Sequence, residues 1–105
     1  MPQPAIIDLF GTGSAYASGN LSIPLSALNA AGLSNNSPTA LEIFAAIIKT
    51  GHTWLNSNTD TTVMATSDLT SVAPITRNST AKTQFQYAVK FYGPYNAPEF
   101  DPDNI

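Results

Sequence analysis

The chain contains no cysteine, a single histidine (His52) and few charges. Without cysteine there are no disulfides, no thiolate metal ligands and no thiol nucleophile. The redox compartment is left open by the same absence. Only four basic and seven acidic residues occur in 105, about 10%, where a soluble domain usually carries about 25%. Lys49, Arg77, Lys82 and Lys90 are dispersed, so no cluster can neutralise successive phosphates or dock on an anionic bilayer. Neither a nucleic-acid partner nor membrane insertion is expected, and no apolar run approaches the roughly 20 residues of a span. Met1-Pro2-Gln3-Pro4 has no basic n-region and no apolar h-region. No secretory signal is therefore expected, and a cytoplasmic location is the default.

What the chain has instead is uncharged polarity. Ten Ser, twelve Thr and nine Asn accompany a 43% hydrophobic content, which is not the high-charge, aromatic-poor signature of disorder. The length suits one domain with one hydrophobic core. The expectation is a single domain over 1–94, followed by an extended acidic, proline-rich tail over 95–105.

Local pattern predicts the elements. Ala5–Phe10 is short, β-branched at its centre and followed by Gly11-Thr12-Gly13, which reads as a strand leaving into a turn. Asn20–Leu25 alternates Leu21, Ile23 and Leu25 against Ser22 and Pro24, so it reads as an edge strand able to pair with the first. Ser26–Leu33 reads as a helical turn ended by Gly32. The main helix is expected over about Pro38–Thr50, with Ser37 as N-cap, Pro38 at the first position and Gly51 as the stop. Its apolar residues Leu41, Ile43, Phe44, Ala45, Ile47 and Ile48 span roughly 200° of the wheel. That is wider than one buried face needs, which predicts cover on more than one side, by strands or by another copy. His52–Asp60 reads as a loop anchored by Trp54-Leu55. Thr61–Thr66 and Thr70–Thr76 read as short strands, the second interrupted by Pro74, and Arg77–Thr80 as a turn. Lys82–Tyr92 carries the clearest period of two: Phe85, Tyr87, Val89 and Phe91 on a core face, Gln84, Gln86, Ala88 and Lys90 on a wet one.

The chemical motifs are weak. Gly11-Thr12-Gly13 lacks the third glycine of a dinucleotide fingerprint, Tyr16 standing in its place. His52 follows a helix-ending glycine, where a cap or loop role outweighs that of a general base. Ser79-Thr-Ala-Lys82 matches S-x-x-K by letter, but in a turn entering a strand rather than on a helix. The three Asn-x-Ser/Thr triplets at Asn20, Asn35 and Asn78 are what chance gives in so Ser/Thr-rich a chain. Glu99, Asp101 and Asp103 lack the glycine turn and distal glutamate of a calcium loop. No catalytic, cofactor-binding or metal-binding residue is assigned, and no cofactor is expected.

The pattern as a whole predicts an α+β fold: an antiparallel sheet of four to five strands packed on one main helix, with an extended C-terminal tail. The leading functional expectation is a non-enzymatic, structural or self-associating domain, its partner another copy of itself. Low charge, which limits self-repulsion, and the broad apolar helix arc support it. The alternative is a small carbohydrate- or peptide-binding module using exposed aromatics, and a small hydrolase-like enzyme ranks third. The candidate interaction surface is Trp54, Tyr92, Tyr95 and Phe100, the last three being aromatics among prolines.

Overall fold

The structure is a computed structural model, and it describes residues 3–96 and 98–105. Met1 and Pro2 of the N-terminal reading and Ala97 of the expected tail lie outside those residues. The chain divides into two compact units, Met1–Val63 and Met64–Ile105. The class is α+β, as expected. The single four- to five-stranded sheet is not found: the described strands form two separate antiparallel pairs.

The first unit opens with helix α1, Ile6–Phe10, where a strand is expected. Local hydrogen bonds decide against the β-branched Ile6-Ile7. The Asp8 carboxylate accepts the Ala5 N–H at 2.8 Å, and the Asp8 N–H donates to the Ala5 carbonyl at 3.0 Å. An acid in the first turn also complements the helix dipole. Gly11 then ends the helix at φ 99°, its N–H donating to the Ile7 carbonyl. The hairpin that follows is shorter than expected and displaced: β1 (Ala15–Ala17) pairs with β2 (Asn20–Ser22). Ser18 and Gly19 form its two-residue turn, both at positive φ, the turn whose twist suits a hairpin. A 3₁₀ segment, Leu25–Ala31, is closed by Gly32 in the left-handed conformation, as its position predicts.

The main helix α2 runs Ala40–Ser57, 18 residues, so it starts later and ends later than expected. Thr39, not Ser37, is the N-cap. Thr39 Oγ1 accepts the Glu42 N–H at 3.1 Å and the Glu42 carboxylate accepts the Thr39 N–H at 2.8 Å. This reciprocal pair satisfies two donors at once, where Ser37 could satisfy one. Gly51 does not stop the helix. A Cβ there would lie 3.6 Å from the Leu9 carbonyl oxygen, so Gly51 marks the approach of α1 to α2. His52 to Ser57, expected as a loop, are its last turns, held by Leu55, which is buried. Ile43, Ala46, Ile47, Thr50, Gly51, Trp54 and Leu55 are buried or half-buried and recur at three- and four-residue spacing, one helix face; Ile48 and His52 are half-buried beside it. The core of this unit is Ala27, Leu28, Ala46, Leu55 and Val63.

The α2 cap carries a measurable pH dependence. The Thr39 N–H bond holds the Glu42 carboxyl below its ordinary value of 4.5. A depressed folded-state value means that the contribution is present above the unfolded value and lost as pH falls through the folded one. Thr39→Ala is therefore expected to cost about 1 kcal/mol at neutral pH. The difference between wild type and Glu42→Gln should vanish in acid. Urea denaturation followed by Trp54 fluorescence checks both, and a gap that persists unchanged at low pH would remove Glu42 from the cap.

The second unit is one long hairpin. β3 (Ala65–Arg77) pairs with β4 (Thr80–Phe91) through a two-residue turn, Asn78-Ser79, both at positive φ. Thr61–Thr66 is mostly turn, and the expected strand Thr70–Thr76 is the second half of β3. The tail does not remain fully extended: Pro102–Asn104 forms a 3₁₀ turn capped by Asp101.

Candidate interaction surfaces

The register of the long hairpin defines its two faces. Cross-strand partners share a face, and a bulge between Leu69 and Ser71 shifts β3 by one residue. Because of that shift, Leu69 opposite Tyr87 and Val72 opposite Phe85 lie on the same side, although they are three residues apart. Val89, opposite Ser67, and Phe91, opposite Ala65, complete the apolar face. The other face carries Asp68, Arg77, Gln84, Gln86, Lys82 and Lys90. The expectation that Phe85, Val89 and Phe91 point into a core is overturned: they are 60%, 39% and 48% exposed. Leu69 and Val72 are exposed with them. All the buried apolar side chains among the described residues belong to the first unit, and Ser67 is the one buried residue of the second.

The helix shows a second bare surface. Leu41, at 76%, Phe44 and Ala45 are exposed, while Ile48, one turn further on, is half-buried. The 200° arc is thus two stripes, one covered within the unit and one open. Ala46, which lies outside the expected apolar set, is buried.

The four predicted aromatics separate. Trp54 is half-buried on α2 and lines a groove of about 560 Å³ with Asp8, Gly11, Asn29, Thr50 and Ser57. Several of its hydroxyls are already bonded within the helix: Thr50 Oγ1 donates to the Ala46 carbonyl and Ser57 Oγ to the Trp54 carbonyl. Tyr92 extends β4, its N–H donating to the Met64 carbonyl and its hydroxyl 3.1 Å from Thr66 Oγ1. Phe100 stacks on Phe91 with ring centroids 5.3 Å apart, so the tail returns to the open end of the apolar face. Tyr95 is almost fully exposed and shares a shallow groove with Phe100. Leu69, Val72 and Phe85 are the members of the surface that sequence reasoning missed.

The ionisable groups with displaced values have structural partners. Asp60 is held below its usual range by the Thr62 N–H and the Thr62 hydroxyl, at 2.9 and 2.8 Å, and Glu42 by the α2 cap. His52 lies within α2, half-buried. Ser79 sits in the hairpin turn and Lys82 on β4, so the S-x-x-K letters do not share a helix. Gly11 serves as a helix stop and a close-packing position. Among the described residues no three His, Asp or Glu side chains gather as a metal site, and no helix is long and apolar enough to cross a membrane. Comparison of the chain with protein-family models, with curated proteins and with solved structures returns no match in any of the three.

Proposed function

We propose that this chain is a non-enzymatic, self-associating domain whose hairpin is completed by further copies of itself. The observation that carries this reading is the row of exposed apolar side chains on one face of the hairpin in the Met64–Ile105 unit. A two-stranded hairpin alone is marginal in water and needs a third strand or a packed face for stability. This one holds Leu69, Val72, Phe85, Val89 and Phe91 at the surface. Burial of such a face is worth roughly 25 cal/mol per Å², and the low charge of the chain opposes association little.

Light scattering coupled to size exclusion, over a hundredfold dilution series, tests it. The expected result is a mass that is a multiple of 11.1 kDa at the concentrated end. A monomer at every concentration overturns it. That outcome would favour the second reading, a binding module for a neutral carbohydrate or a peptide. Its support is the groove lined by Trp54, Asn29 and Asp8, with no lysine or arginine among its lining residues.

A further inference from the structure

The groove of the Met1–Val63 unit is walled by α1, the 3₁₀ segment and the second half of α2. Two glycines set those walls. A Cβ at Gly51 would lie 3.6 Å from the Leu9 carbonyl oxygen, and one at Gly11 would overlap the Ala27 carbonyl, so α1 lies close against both neighbours. The space of about 560 Å³ between the walls falls in the range of small-molecule sites, roughly 300–1,000 Å³.

What the walls offer a ligand is one-sided. A hydroxyl has a single proton to donate. Thr50 Oγ1 gives its proton to the Ala46 carbonyl at 2.8 Å, Thr53 Oγ1 to the Lys49 carbonyl at 2.9 Å and Ser57 Oγ to the Trp54 carbonyl at 2.9 Å. Toward a ligand all three are therefore acceptors. From α1 comes Asp8, half-buried. Its Oδ2 accepts the Ala5 N–H at 2.8 Å, and its Oδ1 has no partner among the described residues. Among those residues no lysine, arginine or histidine lines the groove, so the carboxylate has no counter-charge there. Trp54, also half-buried, adds an indole ring to the lining, the aromatic that attracts cations best. The remaining polar side chains of the lining, Asn29 among them, can donate or accept, and so leave the preference to the fixed groups.

We propose that this groove binds a small alkyl amine in its primary ammonium form. An R–NH₃⁺ group has three donors and no acceptor, the complement of a free carboxylate oxygen and a row of hydroxyls whose protons are spent. Its hydrogen bonds to a carboxylate are of the short, charge-assisted kind. An alkyl ammonium is charged at neutral pH, with a pKa near that of lysine, about 10.4. A sugar brings hydroxyls that need donors as well as acceptors, and it leaves the Asp8 charge covered without a partner. The groove belongs to the unit that does not carry the exposed hairpin row, so the proposal goes beyond the self-association reading and does not depend on it.

A ¹H–¹⁵N NMR titration of the full chain in phosphate buffer tests it, with n-butylammonium, tetramethylammonium and methyl glucoside as probes. n-Butylammonium should give saturable shifts at Asp8, Asn29 and the Trp54 indole. Tetramethylammonium, a cation without N–H donors, should bind about tenfold more weakly or less tightly still. Methyl glucoside should give no shift. Asp8→Asn keeps an acceptor for the Ala5 N–H while removing the charge, and should weaken n-butylammonium by about tenfold or more. Trp54→Leu leaves that cap untouched and should weaken it about threefold. Asp68→Asn takes the same charge from the other unit and should change nothing. Equal losses from Asp8→Asn and Asp68→Asn would reduce the binding to the net charge of the chain and overturn the site. Shifts that never saturate, or tetramethylammonium bound as tightly as n-butylammonium, overturn it too. Saturation by methyl glucoside in place of the amine would hand the groove to the neutral-carbohydrate reading.

Discussion

Gly11→Ala is expected to destabilise the Met1–Val63 unit by about 2–6 kcal/mol, whereas Gly19→Ala should cost about 1. Two independent penalties meet at Gly11. Its φ of 99° and ψ of 159° fall in a region open in practice to glycine alone, at 1–3 kcal/mol for any other residue. A Cβ would also stand 2.1 Å from the Ala27 carbonyl oxygen and 2.8 Å from its carbonyl carbon. Those atoms are backbone of the 3₁₀ segment, fixed by the buried Ala27 and Leu28, so the clash is relieved only by moving the segment off α1. Forcing extra volume into a packed site typically costs a further 1–3 kcal/mol. A unit of this length is stable by roughly 3–9 kcal/mol in all, so Gly11→Ala consumes most of it. Gly19 shares the positive φ, at 79°, but has nothing within 4 Å of its Cβ position, and it isolates the conformational part of the cost. Urea denaturation followed by Trp54, the only tryptophan and a member of the same unit, measures both. A Gly11→Ala transition within 1 kcal/mol of wild type would mean that the helix stop and the 3₁₀ segment are not in contact.

The comparison of expectation with structure separates local signals from long-range ones. The Gly32 stop, the turn at Asn78-Ser79 and the strand after it are encoded by neighbouring residues, and sequence locates them. The start of α2 was also within reach, because Thr39-x-x-Glu42 is a stronger cap signature than Ser37-Pro38. Ala5–Phe10 misleads because two isoleucines outweigh one aspartate on any propensity scale, yet in so short a segment a single side-chain bond from Asp8 decides the backbone. Pro74 misleads in another way. In sequence it signals an interruption, but a proline whose nitrogen faces the outer edge removes no bond from the β3–β4 ladder. What no local pattern contains is the partition of strands between sheets. The period of two in Phe85, Tyr87, Val89 and Phe91 states that one face is apolar, not that the chain itself covers it. A tight turn joining the two longest strands was the available clue, since it spends each strand's first neighbour on the other. The bulge that brings Val72 opposite Phe85 leaves no signature in Leu69-Thr70-Ser71. The apolar character of the face is accordingly legible in β4 and hidden in β3, and its exposure is legible in neither.

Phe85→Asp is expected to abolish association at concentrations where the wild-type chain is fully assembled, with the hairpin still formed. The same change at Gln84 should do nothing. Phe85 is 60% exposed, so within one copy the aspartate meets water and its cost to folding is small, of the order of a surface substitution. Once the apolar face is covered, the carboxylate is carried into a site with no partner. The nearest cation along β4 in either direction, Lys82 or Lys90, belongs to the opposite face of the strand. An unpaired buried charge costs several kcal/mol. Taking about 4 kcal/mol, the dissociation constant rises roughly a thousandfold. Gln84 is on the polar face, which it shares with Lys82, Arg77 and Lys90, and an added carboxylate stays solvated there. Phe44→Asp completes the set, because it places the same charge on the other bare stripe, on α2. Light scattering ranks the three variants, with circular dichroism to confirm that each keeps its strands. Dissociation by Phe85→Asp alone puts the sheet face at the interface. Dissociation by Phe44→Asp alone would transfer it to the helix and leave the apolar face of the hairpin without a function in assembly. An assembled Phe85→Asp protein would remove the face from the interface altogether, since no buried surface of that kind accepts a free carboxylate at its centre.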